Sequence, residues 1–180
     1  MVIAHKLRLK AASLFLDIKS GFDNIKPAQL ASHLREKGVS PYIVSWIRSF
    51  LFHRTCRLKF QGAPGDFKRV AVGTPQDSPL SPLLFVLYVA PLHQGTNRQN
   101  TFSFIDDFTL MTMSTSYRRN IQILHSRFKA LAYKAGKLSL FFSVPMTELI
   151  HWHTFKDRFP RSLTPVQLNS AVFHPKEEVR

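Results

Sequence analysis

Cysteine, acidic residues and long apolar runs are all scarce in this sequence of 180 residues. The one cysteine, Cys56, excludes an internal disulfide, and no Cys/His cluster has the spacing of a zinc site. The longest apolar stretches, such as Leu83 to Ala90, are too short to span a bilayer. Hydrophobic residues make up 44% of the chain, which is enough for the core of one domain.

The shortage of acids leaves the chain strongly basic. It has 25 Lys and Arg residues against 11 Asp and Glu residues, for a formal net charge of +14. This balance favours a polyanionic partner, nucleic acid first and an anionic membrane second. The alternative is a basic protein without such a partner.

Apolar periodicity predicts strands and helices in irregular alternation. The first half of the chain is predicted to form a buried strand at 13–18, a helix from Pro27 that Gly38 closes, and a helix from Pro41 with Ile43, Val44, Ile47 and Leu51 on one stripe. A half-exposed strand at 56–60 then returns at 67–72, and an apolar helix ends near Leu92. The second half is predicted to form a hairpin at 102–113, a helix at 117–135 that Gly136 stops, and strands at 138–142 and 147–152. The order favours an α+β domain with a mainly antiparallel sheet over a doubly wound parallel one.

Three aspartates lie in apolar surroundings. Asp17 ends the first predicted strand, and Asp106 and Asp107 lie at the bend of the hairpin. A buried carboxylate is costly unless a cation compensates it, and three hard oxygen donors at adjacent strand ends suit Mg²⁺. A pair of such ions can activate a 3′-hydroxyl and stabilise a leaving pyrophosphate. Alternatively, Asp106 and Asp107 form an ordinary surface turn, and Asp17 caps a helix or loop.

Four ordered segments carry a family resemblance. They are FLDIKSGFDNI at 15–25, GTPQDSPLSP at 73–82, FIDD at 104–107, and residues 136–152, which end in TELIHW. In order and spacing they resemble motifs A to D of the reverse transcriptases of non-LTR (LINE-type) retroelements. The matches span roughly residues 13–153, and the resemblance implies a polymerase palm-type antiparallel sheet flanked by helices.

The resemblance also implies roles for single residues. Asp17, Asp106 and Asp107 would hold two Mg²⁺ ions, with Mn²⁺ as a substitute and the Ile18 carbonyl beside them. The partners implied are an RNA template, a DNA primer and dNTPs, with no membrane; the oligomeric state is left open.

Three further residues would bind the substrate. Phe22, five positions after Asp17, would be the steric gate that excludes a ribose 2′-hydroxyl, although core packing also explains it. Gln76 would lie over the incoming nucleotide and the template base. Gly73 would allow the tight backbone there, although a glycine near a proline is also an ordinary turn.

Three departures from the family pattern predict that the isolated chain has little or no polymerase activity. Asp77 stands where the family has Gly, and Met146 replaces the lysine of motif D. Few residues precede Asp17 and the sequence ends at Arg180, which predicts a single partial domain over 1–180 that lacks most of the fingers and the thumb. Its palm core would cover about 13–153, and 154–180 would be an irregular tail.

Three functions remain open from the sequence. The first is an RNA-directed DNA polymerase domain, a nucleotidyltransferase. The second is a basic nucleic-acid-binding remnant without catalysis. The third is a decayed retroelement product without function, with a partly apolar surface.

Overall fold

The computed structural model describes residues 9–95, 100–152, 165–168 and 171–175. They divide into two units, the first comprising Met1–Lys19 with Leu92–Arg180 and the second comprising Ser20–Pro91. Across these described ranges, no helix is both long and apolar enough to cross a membrane.

A four-stranded antiparallel sheet forms the first unit, in the order β6–β7–β1–β8. Its strands are β1 (Lys10–Asp17), β6 (Thr101–Phe104), β7 (Asp107–Ser114) and β8 (Glu148–Trp152). The central position of β1 explains why the consecutive residues from Ala11 to Leu14 are all buried. The predicted buried strand and the hairpin with acids at its bend are both confirmed.

One long helix, α4 (Tyr117–Lys137), packs on this sheet. The predicted apolar face is confirmed, because its five members are all buried: Ile121, Leu124, Phe128, Leu131 and Ala135. The prediction that Gly136 stops the helix is wrong. The helix continues to Lys137, and the residue in the left-handed region beyond it is Ser139, with φ 58°.

The predicted strand at 138–142 is also wrong. The N–H groups of Leu138 and Leu140 donate to the Ala135 carbonyl, so these residues cap the helix instead of extending. Phe142 alone joins the sheet, through an isolated bridge to Ile18.

Three helices build the second unit: α1 (Pro27–Glu36), α2 (Pro41–Leu51) and α3 (Ser81–Val89), and a 3-10 turn at Ala90–His93 continues the chain from α3. The predicted stripe of α2 is confirmed at Val44, Ile47 and Leu51, which are buried. It is wrong at Ile43, which is 47% exposed. One residue along a helix is a rotation of about 100°, which carries Ile43 off the buried face.

Two short antiparallel ladders lie between α2 and α3. Strand β2 (Arg54–Cys56) pairs with β5 (Lys68–Val70), and β3 (Lys59–Phe60) pairs with β4 (Ala63–Pro64). The prediction of one continuous strand at 56–60 is therefore wrong, since the chain changes ladder after Cys56.

The predicted irregular tail is described only in part. Val166–Leu168 (β9) and Ala171–Phe173 (β10) pair in antiparallel orientation, and residues 154–164, 169–170 and 176–180 of the tail lie outside the described residues. Helices and an antiparallel sheet together confirm the predicted α+β class.

Candidate active site

Strand register brings Asp17 and Asp107 together. The two residues are direct partners across β1 and β7, so their side chains project from the same face of the sheet. The Ile18 N–H donates to the Asp106 carbonyl at 3.3 Å. The Asp17 carbonyl accepts a hydrogen bond from the Ser143 N–H at 2.8 Å. Backbone hydrogen bonds thus join the end of β1 both to the loop at Asp106 and to the segment at Ser143.

Asp106 and Asp107 are placed by a strained turn. Phe104 pairs with Asp107, so Ile105 and Asp106 form a two-residue loop between β6 and β7. Ile105 has φ 55°, a conformation that β-branched residues rarely adopt. The tight hairpin requires it, although the sequence offers no Gly or Asn there. Strain of this kind collects at functional sites, and here it orients the two acids that follow.

The three acids influence one another electrostatically. The pKa of Asp17 is raised above its usual value, first by burial and then by the negative charges of Asp106 and Asp107. Like charges opposite each other in a sheet destabilise it unless a countercharge is present. This end of the sheet therefore favours the binding of a cation.

The donor chemistry at this end of the sheet fits Mg²⁺, which prefers carboxylate oxygens. Among the described residues, however, no group of three or more His, Cys, Asp or Glu side chains is arranged ready to hold a metal ion. The strand register brings the three aspartates to one end of the sheet, but their carboxylates do not converge on a single point. Mutual repulsion favours rotamers that keep carboxylates apart, and a divalent ion reverses that preference.

In the second unit, backbone bonds hold the loop that begins at Gly73. The Gly73 N–H donates to the Ile25 carbonyl at 2.7 Å, and the Thr74 N–H donates to the Phe22 carbonyl at 3.0 Å. Gly73 has φ 80°, and a Cβ there would lie 3.0 Å from the Cα of Asp23. Both the dihedral and the close approach require glycine at this position.

Arg54 also holds this loop in place through hydrogen bonds, a role that the sequence did not predict. Its guanidinium donates to the carbonyls of Leu51 at 3.0 Å, Val72 at 2.9 Å and Gly73 at 2.5 Å. The planar guanidinium can reach several carbonyls at once, so it joins the end of α2 to the start of the loop. In the sequence, Arg54 is indistinguishable from the basic residues that surround it.

Phe22 and Gln76 also belong to the second unit. The Phe22 ring is half-exposed and packs against the buried Phe85, with ring centroids 4.9 Å apart. Gln76 is exposed and lines a cleft of about 650 Å³ together with Arg54 and Thr74. The buried Thr74 Oγ1 has no hydrogen-bond partner among the described residues. The roles of Phe22, Gly73 and Gln76 towards a substrate, and of Asp17, Ile18, Asp106 and Asp107 towards a metal, remain predictions.

Comparison with known proteins decides the family. The family model described as "Reverse transcriptase (RNA-dependent DNA polymerase)" matches residues 2–140, which is more than half of the chain. The chain belongs to this family. By family it is an RNA-directed DNA polymerase domain, a nucleotidyltransferase, and the predicted resemblance is confirmed.

Two curated relatives come from mobile elements of Drosophila melanogaster. The chain is 37% identical over 76 residues to the probable RNA-directed DNA polymerase from transposon X-element, covering 42% of the chain and 8% of the relative. It is 30% identical over 114 residues to the RNA-directed DNA polymerase from mobile element jockey, covering 59% of the chain and 12% of the relative. These matches support the LINE-type assignment, and the chain spans about a tenth of either relative.

Solved telomerase structures share the fold. The apo telomerase of Candida tropicalis truncated from its C-terminal domain has a TM-score of 0.62 at 16% identity, over 86% of the chain and 34% of the telomerase. The Candida albicans telomerase, solved with a TWJ fragment of telomeric RNA, has a TM-score of 0.60 at 16% identity, over 87% of the chain and 30% of the telomerase. At this identity the similarity shows the fold alone.

Two positions depart from the reverse transcriptase pattern. Asp77 is exposed and has φ 59°, a left-handed conformation that glycine adopts without strain. The backbone at this position therefore keeps a shape that suits the family glycine, while the residue is an anionic aspartate. Met146, at the position of the motif D lysine, is 61% exposed.

Proposed function

We propose that this chain extends a DNA primer on an RNA template, as the polymerase domain of a LINE-type element. The observation that carries the proposal is the position of three aspartates at one end of the antiparallel sheet. Asp17 pairs with Asp107, and the strained loop at Ile105 places Asp106 beside them. Partial burial of the Asp17 carboxyl and the two like charges beside it raise its pKa, so this end of the sheet favours a cation.

Asp17, Asp106 and Asp107 would hold a pair of Mg²⁺ ions, with the Ile18 carbonyl beside them. When bound, such a pair supplies activation of the primer 3′-hydroxyl and stabilisation of the leaving pyrophosphate. The chain's own contribution is the rigid backbone around the acids, including the Ile18 to Asp106 hydrogen bond, which limits how far they move.

The second unit would select the nucleotide. The half-exposed ring of Phe22 is backed by Phe85, so it resists displacement and would exclude a ribose 2′-hydroxyl. Gln76 would contact the base pair, and Gly73 would keep the loop close to residues 22–25. Deoxynucleotides are therefore the proposed substrates.

A graft tests this function. Residues 1–180 replace the matching segment of the full-length jockey polymerase, and primer extension is measured on a primed RNA template with dNTPs and Mg²⁺. We expect extension that depends on Mg²⁺ and is at least about 10²-fold slower than that of the parent, because Asp77 places a carboxylate near the nucleotide phosphates and Met146 cannot act as a general acid.

The parent jockey polymerase and a graft without added dNTPs are the controls. Two results would overturn the proposal. One is extension that persists when EDTA replaces Mg²⁺, and the other is a folded graft that stays inactive even with Asp77→Gly and Met146→Lys in place.

A further inference from the structure

The two short ladders of the second unit present aromatic rings to solvent. Phe60, on β3, is 75% exposed, and Phe67, just before β5, is 68% exposed. Ladders of two and three residue pairs are too short to form a core of their own, so folding of the ladders does not explain these rings. Exposed aromatic rings beside a polar backbone are typical of binding surfaces.

Basic side chains surround the same rings. Arg57, Lys59, Lys68 and Arg69 are all exposed, and Asp66 is the only acid in the sequence from Arg54 to Val70. The Arg57 guanidinium lies over the Phe67 ring, 5.1 Å from its centroid. We call Arg57, Lys59, Phe60, Phe67, Lys68 and Arg69 the basic ribbon.

The charge of the basic ribbon decides between partners. Cores of protein interfaces are depleted in lysine, whereas four cations next to two open rings suit a polyanion. Phosphates attract the cations, and unpaired bases stack on aromatic rings whatever their sequence. A duplex hides its base faces, so the rings favour a single strand.

We propose that the basic ribbon binds single-stranded RNA, with phosphates on its cations and bases stacked on Phe60 and Phe67. The proposal rests on the proposed function for the identity of the partner, and it adds a contact that does not involve the three aspartates. Arg54, the first residue of β2, donates hydrogen bonds to the carbonyls of Val72 and Gly73 and so joins the β2–β5 ladder to the Gly73 loop. RNA bound to the basic ribbon would therefore lie beside that loop.

The cations are tested by the salt dependence of binding. Fluorescence anisotropy of a labelled 20-nucleotide oligo(U) RNA is measured with the full chain in EDTA at increasing KCl. Each lost phosphate contact reduces the magnitude of the negative slope of log K against log salt by about 0.7 for a single strand, so Lys68→Gln with Arg69→Gln should reduce that magnitude by about 1.4. The matched control, Arg118→Gln with Arg119→Gln, removes the same charge from exposed positions of α4 and should change the slope less.

The rings are tested at constant charge. Phe60→Ala should weaken binding of the single strand about fivefold or more, and Phe60→Trp should preserve it. Tyr42→Ala is the control, because Tyr42 is 81% exposed on α2, outside the ribbon. Thermal melting confirms that each variant folds.

Equal effects of ribbon and control variants would overturn the proposal, as would an unchanged affinity of Phe60→Ala. Unchanged RNA binding by every ribbon variant would also overturn it and would favour a protein as the partner of this surface. Asp106→Asn separates the two proposals, since it should remove extension from the graft while leaving oligo(U) affinity unchanged. Loss of extension alone would therefore not affect the basic ribbon.

Discussion

Asp106→Asn should abolish primer extension by the graft, with a loss of at least about 10³-fold. An amide is a poorer Mg²⁺ ligand than a carboxylate, and metal stabilisation of the transition state amounts to several kcal/mol, where about 4 kcal/mol corresponds to that loss. The substitution keeps the shape of the side chain. The hydrogen bond from Ile18 uses the backbone carbonyl of residue 106, so the turn should survive the change.

The matched control for this prediction is Glu36→Gln. Glu36 is exposed at the end of α1, outside the sheet that carries the three acids and outside the basic ribbon, and its neutralisation changes the net charge by the same amount. The control should extend the primer at the rate of the unmodified graft. Comparable losses in both variants would mean that overall charge, and not the position of Asp106, matters.

Asp77→Gly should increase extension by the graft by about 10²-fold or more. Two like charges about 4 Å apart repel by about 4 kcal/mol at an effective dielectric constant of 20, so a carboxylate near a nucleotide phosphate has a large effect. Glycine also adopts the observed φ of 59° without strain, which should raise the stability of the chain by about 1 kcal/mol. Primer extension and thermal melting measure the two effects separately.

Two comparisons refine this result. Asp77→Asn removes the charge but keeps most of the backbone strain, so it should recover most of the rate and less of the stability. Met146→Lys should add a smaller gain, seen in the single-turnover rate, because a general acid helps only where chemistry limits the rate. A graft that is already as active as its parent, and is unchanged by Asp77→Gly, would show that the aspartate is tolerated.

The arrangement of the acids could be predicted because it depends on strand ends. Asp17 ends β1 and Asp106 follows β6, and these two strands run in the same direction on either side of β7, so their carboxyl ends lie at the same edge of the sheet. The pairing of Asp17 with Asp107 could not be predicted, since register depends on the loop conformation. That loop is built around Ile105, a residue whose propensity argues against it.

Other features were hidden because the sequence contains no local signal for them. Arg54 binds three carbonyls that only the folded chain brings together, and its neighbours in sequence are equally basic. The segment at 138–142 alternates like a strand, yet the N–H groups of Leu138, Ser139 and Leu140 donate to carbonyls in the last turn of α4. Helix capping overrides the short apolar pattern there.

The central claim is that Asp17, Asp106 and Asp107 share a divalent cation, and the melting temperature of the chain with and without Mg²⁺ tests it most directly. The pKa of Asp17 is raised in the folded chain, so the folded state holds its proton to higher pH than the unfolded state. Stability therefore falls as pH rises from the pKa of Asp17 in the unfolded chain to its higher pKa in the folded chain. Asp17→Asn should accordingly melt at a higher temperature than the unmodified chain at neutral pH without metal.

Mg²⁺ should reverse that order. At a concentration ten times its dissociation constant, Mg²⁺ should stabilise the unmodified chain by about 1.4 kcal/mol and raise its melting temperature by about 3–6 °C. This increase should vanish at acidic pH, where the carboxylates are protonated. Asp17→Asn and Asp106→Asn should show no increase, whereas Glu36→Gln should respond like the unmodified chain. An equal response to Mg²⁺ in all four proteins, or none in any, would contradict a metal site formed by the three aspartates.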